Sequence, residues 1–390
     1  MRLLHTGDWH LGKRLFGSDR LGEAEGALDE IVRAAEAEAV DAVLVAGDLL
    51  DRRLVDSAAF GACLRAMERL AAVAPVIAVA GNHDDPDLWT HLAPYLEGRG
   101  IHVAGRVRPP EEAVVSVPTA SGPLHAALLP WPEPARMALD AGASAQDSRV
   151  RYADRVAAVV GRYADEAVRR RREQGGAAVL VGHLMVERAQ AGGGEREMTM
   201  GITYAISAAA LPADLDYVAL GHVHRPQSVP GLAAPGRYAG SPMALDFSED
   251  DHAKSAVIVE IQGDHTTTRL APVTSARPLV RLRGTLEELP GLAAAHPGAW
   301  FACEVELDAP ELDLVARVRA AVPGVLRVEP RYAPAPELPA GVAEAGGGGA
   351  ALGDLYASWY RLQDRDLPEA QAQAFAHALA EGGADAEAEG

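Results

Sequence analysis

The sequence predicts an α/β sandwich of central strands flanked by helices, followed by a small α/β subdomain and a C-terminal helical pair. Three observations carry this. Short apolar runs alternate with helical patterns from residue 1 to 272, the signature of strands covered by helices. Residues 273–335 shift to shorter strand-like and helix-like segments. Residues 336–351 are rich in Pro, Ala and Gly, including Gly346–Gly349, and read as a flexible linker before helical periodicity resumes at 352–380. Residues 381–390 read as a disordered acidic tail.

The elements follow in order. Arg2–His5 is the first apolar run, Leu21–Ala39 a helix, Ala42–Ala46 a strand, Ser57–Ala72 a helix and Val76–Ala80 a strand. Across Arg149–Glu173, Tyr152, Val156, Val159, Val160 and Tyr163 recur at helical spacing. Ala177–Val181 and Tyr217–Leu220 are strands, and His125–Leu129 and Ala256–Ile261 suit a second sheet. Beyond 272, Pro278–Arg283, a helix near Thr285–Ala295, Trp300–Leu307, a helix near Glu311–Ala321 and Val325–Glu329 form a β-α-β-α-β unit.

Composition excludes several classes. The net charge of −19 argues against a protein that coats nucleic acid by bulk positive charge, though a local basic path or a metal site can still bind phosphate. The longest apolar run, Leu70–Ala80, is interrupted by Pro75 and falls short of the roughly 18 residues a membrane span needs. The N-terminus lacks a secretory pattern, and Cys63 and Cys303 suit reduced thiols, so the expected location is the cytoplasm, in association with the nucleoid.

The chemistry sits at the ends of five apolar runs. Each ends in Gly followed at once by a metal-capable side chain: Gly7-Asp8-Trp9-His10, Gly47-Asp48, Gly81-Asn82-His83-Asp84, Gly182-His183 and Gly221-His222-Val223-His224. Glycine permits positive φ and close backbone approach, so each strand can turn sharply into a site. In an open α/β sheet, sites form at the carboxyl ends of the strands. Five such ends on one edge bring Asp8, His10, Asp48, Asn82, His183, His222 and His224 together. Imidazole with carboxylate suits Mn²⁺, Fe or Zn²⁺, and seven donors suit two ions about 3.5–4 Å apart that share a carboxylate. A lone D-x-H or H-x-H is more often a surface or core feature than a ligand pair, Asp48 alone could cap a helix, and Asn82 alone could serve a turn. The ordered set of five is what points to a metal centre.

These motifs resemble a known family. His5-Thr-Gly-Asp-Trp-His-Leu-Gly12, Val45-Ala-Gly-Asp-Leu-Leu-Asp51, Ala80-Gly-Asn-His-Asp84, Gly182-His-Leu-Met-Val186, Ala219-Leu-Gly-His-Val-His-Arg225 and Tyr238-Ala-Gly-Ser-Pro242 follow the order of the calcineurin-like metallophosphoesterases, and within them of the SbcD family of bacterial nuclease subunits. The likeness covers residues 1–272 and, more loosely, the remainder. Gly7 stands where Ser is usual and Leu50 where an aromatic is usual; Asp51 stands where archaeal and eukaryotic relatives carry a second His.

The resemblance implies a calcineurin-like β-sandwich, a capping and DNA-binding subdomain at 273–335, and a two-metal, Mn²⁺-dependent DNA exonuclease and endonuclease. One cation falls to Asp8, His10, Asp48 and His224, and the other to Asp48, Asn82, His183 and His222. His83 acts on the leaving oxygen, and Asp84 is expected to hold the His83 ring. Lys13, Arg14, Arg52, Arg53 and Arg225 flank the motifs and are candidates for phosphate contacts at DNA ends and hairpins, with ordinary loop charge as the plain alternative. Arg169–Arg172 reads first as a solvated helix face and second as a DNA track. The resemblance also implies a homodimer, through helices near residues 57–98, that joins two copies of an SbcC-type ATPase. The expected dock is an aromatic helix stripe, Leu352, Leu355, Tyr356, Trp359 and Tyr360, with Phe375 on a second helix opened by Asp366-Leu-Pro368. That pair could equally fold back on its own chain. A phosphatase or cyclic-nucleotide phosphodiesterase on the same centre, and a scaffold that has lost catalysis, remain as alternatives.

Overall fold

The computed structural model describes residues 1–137, 145–190, 204–249, 253–332, 353, 356–357, 359–361 and 366–376. Two six-stranded sheets dominate. In the first, the strands lie side by side in the order His265–Pro272, Ser255–Gln262, Arg2–Thr6, Ala42–Val45, Val76–Val79 and Ile101–Ala104. In the second, the order is Gln227–Ser228, Gly236–Tyr238, Tyr217–Gly221, Ala177–His183, Leu124–Leu129 and Val114–Val117.

Alternating side chains explain the layering. Leu3, Leu44, Ile77 and Val79 from the first sheet meet Ala126, Leu128, Val179, Val181 and Ala219 from the second in one core. Their neighbours Leu4, Val43 and Val45 point the other way, into a core built with helices. Strands covered on both faces read as unbroken apolar runs, which is why these segments stand out in the sequence.

The helices Leu21–Ala37 and Ser57–Val73 cover the first sheet. The Asp56 carboxylate accepts from the Ala59 N–H and starts the second of them. The helix Pro86–Glu97 opens with Asp85 as its cap and Pro86 in its first turn. Over the second sheet lies Ala145–Gln174, which buries Tyr152, Val156, Val160 and Tyr163. Its run Arg169–Arg172 is paired throughout: Arg169 and Arg170 with Glu166, Arg171 with Asp216 and Arg172 with Asp214.

The expectation of five strand ends on one sheet is corrected. Three belong to the first sheet and two to the second, so the site lies where the two layers share an edge. Ala256–Ile261 likewise falls within Ser255–Gln262 of the first sheet, antiparallel to Arg2–Thr6. Parallel register keeps the ends level: Thr6 lies beside Val45, Val45 beside Ala78, and Gly221 beside His183.

Strands Leu279–Gly284, Trp300–Leu307 and Val325–Tyr332 form a third sheet with helices Leu289–Ala294 and Leu314–Ala321. Met1–Val305 and Glu311–Pro330 form one compact unit, so most of this sheet groups with the two large ones. Leu279 and Ala302 pack there with Leu15 and Phe247. The second unit comprises Glu306–Pro310 and the described residues from Arg331 onward. In it, Tyr356, Trp359 and Tyr360 are helical, and the Tyr356 ring stacks on Phe375 at 4.2 Å. Trp359 stays 42% exposed. Leu352 and Leu355, the linker and the acidic tail lie outside the described residues.

Candidate metal centre

The ligand-bearing turns are made by the donor residues themselves. Asp8 (φ 51°), His10 (φ 46°), Asp48 (φ 49°) and His222 (φ 100°) all adopt positive φ. Each such non-glycine conformation costs on the order of 1–3 kcal/mol and persists only where the surroundings over-determine it. Among the glycines that precede the donors, only Gly47 has positive φ. This corrects the expectation that glycine supplies each turn. Gly81 and Gly221 are required for proximity instead: a Cβ at 81 would overlap the Asp48 carboxylate, and one at 221 the Ala46 carbonyl.

The loops are zipped together by their backbones. The Asp8 N–H donates to the Gly47 carbonyl (2.9 Å), and the His10 N–H to that of Asp48 (3.0 Å). Across the sheets, the His222 N–H donates to Asp8 Oδ1 at 2.9 Å. The Asp84 carboxylate accepts from the N–H groups of Gly81 (2.8 Å), Leu50 (3.0 Å) and Leu49 (3.2 Å), tying the Asp48 loop to the Asn82 loop.

All seven predicted donors converge. Asp48 Oδ2 lies 3.5 Å from His10 Nε2 and 3.4 Å from His183 Nε2. Asn82 Oδ1 lies 2.9 Å from both His183 Nε2 and His222 Nδ1. The His10 and His224 rings are 4.9 Å apart. Asp8, His10 and His224 each offer a donor atom within 4.8 Å of the others, as do Asp8, Asp48 and His183. Asp8, His10, Asp48, His183 and His224 are buried, while Asn82 and His222 are half-buried.

A divalent cation fits this donor set. Both ring nitrogens of His10 are buried without a hydrogen-bond partner, a cost of about 1–3 kcal/mol for each unsatisfied group. Burial holds His10 down to about 4 and His222 to about 3, so both present neutral imidazoles with a free lone pair, the form that binds a cation. Burial pushes Asp8 up to about 6. It opposes the charge on Asp48 too, but His183 and His10 hold that carboxyl well below the usual range. His183 in turn rises to about 9, because Asp48 and Asp8 outweigh its desolvation. Imidazole, carboxylate and amide oxygen without thiolate suit Mn²⁺, Fe or Zn²⁺.

Residues 1–226 match the family described as calcineurin-like phosphoesterase, and residues 275–349 match the SbcD C-terminal family, described as type 5 capsule protein repressor C-terminal domain. The chain is 34% identical to the SbcD component of the SbcCD nuclease of Bacillus subtilis over 350 residues, 85% of this chain and 86% of that protein.

The chain belongs to the SbcD family of calcineurin-like phosphoesterases.

Other relatives are the SbcD components of the SbcCD nucleases of Rhodobacter capsulatus, 31% identical over 76% of this chain and 75% of that protein, and of Escherichia coli K12, 27% identical over 82% of each. Within this SbcD-family site, His83 Nδ1 donates to the Asp51 carbonyl at 2.6 Å, and the His83 N–H donates to Asp48 Oδ1 at 2.8 Å. The expectation that Asp84 holds the His83 ring is therefore corrected. The carbonyl of Asp51 holds it, while the Asp84 carboxylate is engaged by three backbone N–H groups.

The basic candidates separate. Lys13 Nζ and Arg52 Nε lie 3.4 and 3.8 Å from the Asp51 carboxylate, beside His10. Arg53 reaches Glu133. Arg225, half-buried, directly follows His224. Arg14 turns into its own hairpin, onto the Gly17 carbonyl.

Two features of the SbcD-family site escaped sequence reasoning. Trp131 stacks on His222 at 5.1 Å. It follows the strand Leu124–Leu129 as Pro130-Trp131-Pro132, and an aromatic just past a sixth strand end was a usable signal. Glu249 accepts from His224 Nδ1 at 2.9 Å. It sits in the acidic run Ser248-Glu249-Asp250-Asp251 and carries no signal in the sequence.

Proposed function

We propose that this protein is a binuclear, Mn²⁺-dependent DNA nuclease that acts on DNA ends and hairpins as both exonuclease and endonuclease. The observation that carries the reading is the convergence of seven candidate donors from two sheets around Asp48, with the buried neutral imidazole of His10 offering its one lone pair to a cation. Asp8, His10, Asp48 and His224 would hold one cation, and Asp48, Asn82, His183 and His222 the other. When bound, such a pair lowers the pKa of a water and neutralises charge that develops on a phosphate under in-line attack.

The remaining work belongs to side chains. The Asp51 carbonyl fixes Nδ1–H on His83, which leaves Nε2 to move a proton at the leaving oxygen. Asp84 locks the Asp48 and Asn82–His83 loops in one frame through three backbone bonds. Lys13, Arg52, Arg53 and Arg225 would supply phosphate contacts, and Arg14, which donates to the Gly17 carbonyl, is the least suited of the predicted set. Hydrolysis of linear duplex DNA compared with a small phosphodiester, each with Mn²⁺ and with chelator, tests this. Turnover of the small ester alone would sink the nuclease reading and favour a phosphatase.

Assembly follows the same reading. The relatives are named as components of an SbcCD nuclease, and an SbcC-type ATPase suits the helical residues after 352. Tyr356 spends one face on Phe375, whereas Trp359 keeps 42% exposure for a partner. Helices Ser57–Val73 and Pro86–Glu97 are proposed as the contact with a second copy. No helix among the described residues is long and apolar enough to cross a membrane. Deleting residues 350–390 should abolish co-purification with an SbcC-type ATPase and leave hydrolysis of the small ester intact. Light scattering of the undeleted complex should return two copies of each chain. Retention of the ATPase by the truncated chain refutes the dock.

A further inference from the structure

His224 is gripped from behind by a buried network. Glu249 ends the short turn Phe247–Glu249 and is 1% exposed. Its carboxylate accepts from His224 Nδ1 (2.9 Å), Lys254 Nζ (2.6 Å), the Leu245 N–H (3.2 Å) and Ser241 Oγ (3.4 Å). Lys254 Nζ also donates to Ser241 Oγ at 3.0 Å. Four donors converge on one side chain that no ligand motif includes. A carboxylate that takes Nδ1–H fixes the imidazole tautomer, aims Nε2 at a cation and raises the basicity of the ring.

The turn that carries Glu249 is itself held by the small subdomain. Arg281 Nε, on the strand Leu279–Gly284, donates to the Phe247 carbonyl at 3.0 Å. The Phe247 ring is buried among Leu279, Ala302 and Leu15. From the other side, Arg20, 1% exposed, donates to the Ala244 carbonyl and pairs with Glu23. Glu23 also accepts from Trp300 Nε1 (2.7 Å) and the Arg277 N–H (3.1 Å) of the subdomain. A continuous chain of contacts thus runs from the third sheet to His224.

We propose that Glu249 is a positioning residue for His224, and that the small subdomain, by clamping the 244–249 turn, sets how firmly one half of the centre retains its cation. This rests on the ligand reading above for His224. It predicts an asymmetric effect, because His183, Asn82 and His222 have no link to Glu249 among the described contacts.

Calorimetric titration of the full-length chain with Mn²⁺ alone tests it, with circular dichroism as the check on folding. The unsubstituted chain should bind two Mn²⁺; if it binds none, the ligand reading itself fails. Glu249→Gln should weaken one of the two sites by about 10–100-fold and leave the other unchanged. Because that change strands Lys254 in the interior, Glu249→Gln combined with Lys254→Met removes the pair together and should give the same asymmetric loss. Arg281→Ala should weaken the same site by about 3–10-fold, the worth of one hydrogen bond. Two sites of undiminished affinity in either folded Glu249 variant would overturn the positioning role, and equal weakening of both would make Glu249 merely structural. Unchanged affinity in Arg281→Ala would overturn the clamp.

Discussion

Asp48→Ala is expected to drop phosphodiester hydrolysis by more than about 10³-fold and to strip both cations. The proposed bridge lies within 3.5 Å of ligand nitrogens on both sides, His10 Nε2 and His183 Nε2. Its loss removes a shared anion between two cations, which is worth more than a single transition-state donor. Folding will weaken less than catalysis. The His83 N–H loses its bond to Asp48 Oδ1, but the Asp84 bracket still joins the two loops. Metal analysis alongside activity decides the matter. A folded Asp48→Ala protein that keeps two equivalents of Mn²⁺, or that cleaves at the wild-type rate, removes Asp48 from the centre.

His83→Leu should separate chemistry from binding. Cleavage is expected to fall by about 10²–10⁴-fold, the usual worth of a general acid, with Mn²⁺ stoichiometry and DNA affinity close to wild type. The ring packs edge-on to His10 at 4.6 Å, a contact that leucine partly replaces. The backbone N–H of residue 83, which binds Asp48, is unaffected by the substitution. Lost metal in this variant would mark His83 as structural and return the proton to a water or another group.

The convergence of the seven candidate donors was legible because they follow the ends of apolar runs that both sheet faces bury. Such strands advertise themselves, and Gly at the junction marks where one loop must pass close to another, as Gly81 does at Asp48. Partition between two sheets was not legible. Val179 and Ile77 are equally apolar, and only pairing assigns them to different layers. The edge strand His265–Pro272 escaped notice because His265-Thr-Thr-Thr-Arg269 is polar and its burial alternates without an apolar side. The helix Pro86–Glu97, one of those expected near residues 57–98, is announced by its Asp85 cap and N-terminal proline and accommodates Pro94 in its interior. Glu249 was hidden for a different reason. An acid in an acidic run looks like solvated surface until Lys254 and His224 fold over it. The role of Asp51 was also invisible, since its backbone carbonyl, and not its side chain, holds His83.

The division of the proposed donors between two sheets would make bound cations part of the folding equilibrium. Asp8, His10, Asp48 and Asn82 come from one layer, and His183, His222 and His224 from the other. An unfolded chain cannot assemble that set, so metal held by it would act as a rivet through the shared edge of the layers. Mass action then adds about 2.7 kcal/mol per site at a free cation concentration 100 times the dissociation constant. Chelator should lower the melting temperature in proportion, and the denaturation midpoint should track the logarithm of Mn²⁺ concentration. Depletion of the cation would thus loosen the shared edge of the two layers, so that metal supply would govern the durability of the protein as well as its turnover.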